Sequence, residues 1–184
     1  MVASEEMLDF RLEKPIKSRK KEALEFAQEF LAANEKISGS GGLDYYGDDY
    51  DAYLKNLGES EKREATDEKA PSYSFFLIRI SDDKIVGIIS IRPILNYSLW
   101  HLAGNIGYST RPSERRKGYA KTSLKLALDI CRTRFNMKLA LLACDKNNIA
   151  SAKTIQALNG NLICEYKDDE YEQGAIIQKC IIVL

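Results

Sequence analysis

One histidine, His101, serves the whole 184-residue chain, and its four cysteines, Cys131, Cys144, Cys164 and Cys180, form no CxxC pair. A single imidazole removes most histidine-based metal clusters, so no metal site is expected, and any Ser-His or Cys-His nucleophile would depend on that residue. Isolated cysteines lack the spacing of a zinc site or a dithiol redox motif and read as buried, reduced thiols. An excess of either charge is also missing, because 27 Lys plus Arg balance 27 Asp plus Glu. Nucleic-acid binding needs a basic face whose counterions are released on contact, and this balance argues against one. No apolar run approaches the roughly twenty residues of a membrane-spanning helix, and the opening MVASEEMLDFRLEK is too charged for a signal peptide. The expectation is a cytoplasmic protein with no nucleic-acid or membrane partner.

What is present fits one globular domain over residues 1–184, 45% hydrophobic and 29% charged and long enough to bury a core without disulfides. MLDFRLE alternates like a short strand that Pro15 ends. SRKKEALEFAQEFLAANEK sets Ala23, Leu24, Ala27, Phe30 and Leu31 at helical spacing, and DDYDAYLKNLGESEKREA does the same with Tyr50, Tyr53, Leu54 and Leu57. Between them ISGSGGLDYYGDD reads as a flexible connection rather than a nucleotide loop, since no strong strand precedes it and no Lys-Ser/Thr follows. SYSFFLIRI, KIVGIISIRPIL and HLAGNIGYST are β-branched and aromatic runs, read as three successive antiparallel strands with a tight turn at SDDK. KGYAKTSLKLALDICRTRF is a helix presenting Ala120, Leu124, Ala127, Leu128 and Cys131, and MKLALLACD is an apolar strand reached through it. Such a crossover implies a parallel pair within a mixed sheet. A helix over NIASAKTIQALNG and two strands, NLICEYKD and AIIQKCIIVL, close the chain. The expected class is α+β with about seven strands, mostly antiparallel, and about four helices.

Positions 111 to 121, RPSERRKGYAK, gather five basic residues at the point where the strand NIGYST passes into a helix. The first turn of a helix leaves backbone N–H groups without partners, and its dipole adds partial positive charge, so a phosphate is the natural guest. Gly118 lets the backbone approach that phosphate, Ala120 keeps the next turn narrow, and Arg115, Arg116 and Lys117 would add side-chain charge.

Arg115-Arg116-Lys117-Gly118-Tyr119-Ala120 resembles the (Q/R)xxGx(G/A) pyrophosphate loop of the GNAT N-acetyltransferase superfamily. NIGYSTRPSERRKGYA fits that family's strand, proline and loop as a unit, and NIASAKTIQALNG is similar to its later helix, which begins with an asparagine. The resemblance covers essentially the whole chain. It implies a GNAT-like fold with a central splayed parallel pair and acetyl-CoA as donor to an amine. Arg116 to Lys121 would surround the pyrophosphate. Backbone groups of Tyr108, Ser109 and Thr110 would meet the pantetheine arm from one side and Asn148 from the other.

Two familiar side chains are absent. The position seven residues after the helix's asparagine, where many members carry a tyrosine as general acid, is Ile155, and the position of a glutamate base, five residues before it, is Ala143. No catalytic residue is assigned. His101 at the start of the central strand, Cys144 at a strand end and Tyr108 remain candidates, with solvent as the base if none serves. The acceptor, a small amine or a peptide, is expected between the first two helices, their loop and the last hairpin, with Asp44, Tyr45 and Asp48 holding an ammonium group. A module of the same fold that holds acyl-CoA without turnover is the competing reading. Edge strands of the C-terminal hairpin could pair two subunits into a homodimer.

Overall fold

A computed structural model describes residues 9–168 and 174–184. Strand β1 (Phe10–Glu13) leads through a single 3-10 turn to helix α1 (Lys20–Ala32), then a short helix α2 (Leu43–Tyr46) and helix α3 (Tyr50–Glu61). The first residues of the expected opening strand lie outside the described residues. Strands β2 (Tyr73–Arg79) and β3 (Lys84–Ile91) form a hairpin, helix α4 (Tyr97–Leu102) follows, and β4 (Ile106–Thr110) completes a sheet in the order β1-β2-β3-β4. Helix α5 (Tyr119–Thr133) crosses to β5 (Leu139–Asp145), and helix α6 (Ile149–Gln156) precedes β6 (Asn161–Asp168) and β7 (Ala175–Val183), which join β5 in a second sheet, β5-β7-β6.

The α+β class and the seven strands are those expected. Two features differ. Among the described residues there are six α-helices rather than about four, because α2 and α4 are too short to show helical periodicity. Helix α4 is a local decision: Asn96 Oδ1 accepts from Leu99 N at 2.9 Å, and this cap turns a stretch read as a strand boundary into a helix. His101 therefore sits in the last turn of α4, not at the start of a strand. The second difference is the sheet. The expected parallel partners β4 and β5 share no ladder, and every ladder within the two sheets is antiparallel.

The core divides according to the strand pleat, which sends successive side chains to opposite faces. Phe76, Ile78, Ile85 and Ile88 meet Ala23, Phe26 and Phe30 of α1 and Tyr53 and Leu57 of α3 on one face. Phe75, Ile89 and Ile91 meet Leu124, Ala127 and Leu128 of α5 and, across the split, Leu142, Cys144, Ile155 and Cys180. Burial on both faces is why β2 and β3 read as continuous apolar runs. On α1 the buried stripe includes Phe26, while Leu31, expected inside, is 70% exposed.

The chain between α1 and α2 crosses β4 at close range. Ser109 Oγ donates to Ser38 O at 2.9 Å, and Gly39 lies so near that a Cβ there would stand 2.1 Å from Gly107 O. Gly39 also has φ +77°, a conformation that L residues adopt only under strain. Gly39→Ala is expected to cost about 2 kcal/mol, lowering the melting temperature by about 5 °C in a calorimetric scan. An unchanged melting temperature would show that the loop is not held against β4.

Candidate active site

Strands β4 and β5 touch only at one end. Asn105 N donates to Leu141 O at 2.7 Å, Leu141 N donates to Asn105 Oδ1 at 2.8 Å, and Gly104 bridges Leu142. Beyond Ile106 the strands part. β4 keeps its ladder to β3, from Ile91↔Ile106 to Gly87↔Thr110, but has none on its other edge. The space so opened is a cleft of about 450 Å³ running from the β4 edge to the start of α5.

The residues singled out by sequence converge here. Tyr108, Ser109 and Thr110 of β4, Arg115, Arg116, Gly118, Tyr119, Ala120 and Lys121 at the opening of α5, and Asn148 at the opening of α6 all line the cleft. Helix α5 begins at Gly118, φ 82°, with no side-chain cap and no acidic residue in its first turn. Its first amides and dipole are therefore directed at the cleft without an internal competitor. Arg116 also has positive φ, 65°, so two left-handed residues shape this loop. Asn148 caps α6 by accepting from Ser151 N at 3.0 Å, which leaves its Nδ2 available as a donor.

The basic cluster is less of a unit than its spelling suggests. Arg111 is buried and pairs with Glu29 of α1 at 2.6 Å. Burial would push Glu29 up, but Arg111 and the Ser113 amide outweigh it and hold the carboxyl below its usual range. Lys117, expected around the anion, instead turns to Glu114 at 2.7 Å and does not line the cleft. Glu114 is 5% exposed and also takes Arg79 at 2.8 Å and Lys84 at 2.7 Å. Burial alone would raise its pKa, yet Lys117, Lys84 and Arg79 bring it down to about 2. Arg115 forms an ion pair with Glu35, another cleft residue, across the mouth. Among the described residues no carboxylate pairs with Arg116 or Lys121, so these two supply the uncompensated charge. A close ion pair requires geometry that the sequence does not spell out, which is why Glu29, Glu35 and Glu114 were not foreseen.

An uncapped helix start beside a split between two sheets is a geometry suited to a donor with a diphosphate head and an amide-bearing arm. The family model for the acetyltransferase (GNAT) domain matches residues 12–160. The chain belongs to this family of acetyl-CoA-dependent N-acetyltransferases. The fold of this acetyltransferase is similar to that of Mycobacterium smegmatis RimJ in complex with CoA-disulfide (TM-score 0.72, 14% identity, covering 95% of this chain and 81% of that one). It is similar also to the ribosomal-protein-S5-alanine acetyltransferase of Vibrio fischeri (0.66, 21%, 95% and 91%) and to the dodecameric spermidine N-acetyltransferase of Vibrio cholerae (0.66, 13%, 96% and 94%). No curated protein matches the sequence. Among the described residues, no helix of this acetyltransferase is long and apolar enough to cross a membrane, and no His/Cys/Asp/Glu group could hold a metal.

The remaining candidates are placed as follows. Ile155 is 1% exposed and serves the core. Cys144 is 9% exposed in the same core, and burial pushes its thiol up, away from the reactive thiolate. Of the four cysteines only Cys164 is exposed, contrary to the expectation that all are buried. His101 packs between Tyr97 (5.7 Å, stacked) and Tyr166 (4.5 Å). Asp44 is tied to Ser40 Oγ at 2.7 Å, Tyr45 is 84% exposed, and neither they nor Asp48 line the cleft. Tyr108 is different: its hydroxyl spans the cleft to Ser151 Oγ of α6 at 3.0 Å. Neither Ser151 nor its neighbour in the cleft, Thr154, stood out in sequence, since serine and threonine on a helix are ordinary.

Proposed function

We propose that this cleft receives acetyl-CoA with its diphosphate on the opening of α5 and its arm along β4, and that the acetyl group passes to a primary amine by direct attack. The observation that carries the reading is the uncapped start of α5, with Arg116 and Lys121 free of any carboxylate partner among the described residues, facing a split strand edge. Amides of Gly118 to Lys121 bind the diphosphate. Backbone groups of Tyr108, Ser109 and Thr110 and the side chain of Asn148 orient the arm, and Arg115 reaches the same head once released from Glu35. Lys117 contributes its backbone, its side chain being held by Glu114. Bound acetyl-CoA supplies a thioester carbonyl open to a neutral amine.

Ile155 offers no phenol, and Tyr108 presents one to the cleft from β4. Burial raises its pKa more than the Ser151 contact lowers it, so Oη keeps its proton near neutrality. It can deliver that proton to a departing sulfur, with Ser151 Oγ hydrogen-bonded to the phenolate left behind. Tyr108→Phe should lower kcat about 10- to 100-fold with little change in acetyl-CoA affinity. Undiminished kcat would leave the proton to solvent. The overall reading is tested by calorimetric binding of acetyl-CoA and by thiol release with a panel of amines. Binding without thiol release would favour the alternative, an acyl-CoA-holding module of the same fold. A homodimer through the exposed β6 edge, where Leu162 and Ile163 are half exposed, is part of the proposal and is read from sedimentation.

A further inference from the structure

Two carboxylates, one in α1 and one just past its end, reach the loop that opens α5, and their surroundings differ. Glu29 meets the buried Arg111 and also accepts from the Ser113 amide at 3.1 Å. This pair is a fixed anchor, since breaking a buried pair strands an uncompensated charge. Glu35 meets Arg115 at the mouth of the cleft, with the two side chains 42% and 40% exposed. Both carboxylate oxygens are engaged, Oε1 accepting from Nη1 at 2.9 Å and Oε2 from Nη2. The forked geometry makes the pair well formed, but solvent reaches it, so another anion can take its place at modest cost.

The two members of this pair are not held alike. The Arg115 guanidinium lies 5.6 Å from the centroid of the Phe30 ring, and its Nε donates to Thr110 O at 3.4 Å. These contacts keep it at the cleft mouth with or without Glu35. The Glu35 carboxylate, by contrast, has Arg115 as its one hydrogen-bond donor among the described residues. It stands outside α1, directly after Asn34 in the left-handed region at φ 53°. Glu35 is therefore the member that leaves when an anion arrives.

The cleft lining sets four cations, Lys36, Arg115, Arg116 and Lys121, against a single carboxylate among its described residues, and that carboxylate is Glu35. An acid kept in an anion site lowers its affinity, because it occupies a cation and repels incoming phosphate. In acetyl transfer such a weakening has a use. CoA carries the same phosphates as acetyl-CoA, so every contact with the head holds the product as firmly as the donor, and product release then limits turnover. We propose that Glu35 is an internal counter-ion that yields Arg115 to the phosphate head on binding and takes it back as CoA departs, loosening the cleft's hold on the product. The inference rests on the acetyl-CoA reading for the identity of the ligand, whereas the competition between Glu35 and phosphate for Arg115 can be measured without it.

The test compares the wild type, Glu35→Gln, Arg115→Gln and the double variant. Acetyl-CoA, CoA and inorganic pyrophosphate are titrated calorimetrically at low ionic strength, and CoA dissociation is followed by stopped-flow displacement. Glu35→Gln is expected to bind acetyl-CoA and CoA about fivefold more tightly, with most of the gain in slower CoA release. The gain should vanish when Arg115→Gln is the background and shrink as salt is added. Unchanged or weaker CoA binding by Glu35→Gln, or a gain that persists in full without Arg115, would overturn the proposal. A purely structural contact would lower the melting temperature of Glu35→Gln and leave CoA release unaltered, which also overturns it. Tighter pyrophosphate binding by Glu35→Gln in a protein that binds no acetyl-CoA would uphold the exchange at Arg115 and overturn the acetyl-CoA reading, and binding of none of the three probes would overturn both.

Discussion

Gly118→Glu is expected to abolish acetyl-CoA binding, with an affinity loss of more than about a hundredfold by calorimetry, while the chain stays folded. Gly118 opens α5 at φ 82°, where any Cβ carries a strain of about 1–2 kcal/mol. Nothing lies within 4 Å of where that Cβ would stand, so a larger side chain meets no resistance and extends into the cleft it lines. A carboxylate there would sit on the helix-start amides and pair with Arg116 or Lys121, replacing the ligand's own charge. Gly118→Ala separates the two effects, since it brings the strain without the charge, and a loss of about tenfold or less is expected. If the glutamate variant bound acetyl-CoA with undiminished affinity, the diphosphate would have to rest elsewhere.

Glu114→Gln should cost on the order of 3 kcal/mol of stability, because a nearly buried carboxylate that holds Arg79, Lys84 and Lys117 cannot be neutralised without leaving three cations facing one another. Arg79 also donates to the Tyr119 hydroxyl at 2.9 Å, so the loss would loosen the first turn of α5 and weaken acetyl-CoA binding secondarily. The same carboxyl sets a pH dependence. Its pKa in the folded protein is about 2, below that of an unfolded glutamate. Its contribution is therefore fully present above about pH 4.3 and disappears as pH falls towards 2. Denaturant midpoints measured between pH 6 and 2.5 should decline in the wild type and decline less in Glu114→Gln. Parallel declines would place the acid sensitivity on other carboxylates, such as Glu29.

The two variants also show why five neighbouring basic residues are not five equivalent ones. Lys117 stabilises the loop through Glu114, Arg111 anchors it to α1 through Glu29, and Arg115 spans the cleft mouth to Glu35, whereas among the described residues Arg116 and Lys121 have no carboxylate partner and line the cleft. Two of their partners come from 80 and 82 residues away, and only folding brings those together.

Local pattern was sufficient for much of the molecule. Alternation and apolar runs placed β2, β3, β5, β6 and β7, helical spacing placed α1, α3 and α5, an ending Asn-Gly placed α6, and the spelling of residues 115 to 120 marked the loop that opens α5 on the cleft, because each depends on residues close in the chain. Tertiary structure alone decided what depends on distant neighbours. The meeting of β4 and β5 at one end only, the reach of Tyr108 to Ser151 across the gap, and the seating of Lys179 against the Trp100 ring all join residues far apart in the chain. A lysine inside AIIQKCIIVL reads as a strand residue like its neighbours. Its meaning comes from the tryptophan that folding sets over it, since the energy of a charge is determined by what surrounds it in space rather than by what precedes it in sequence.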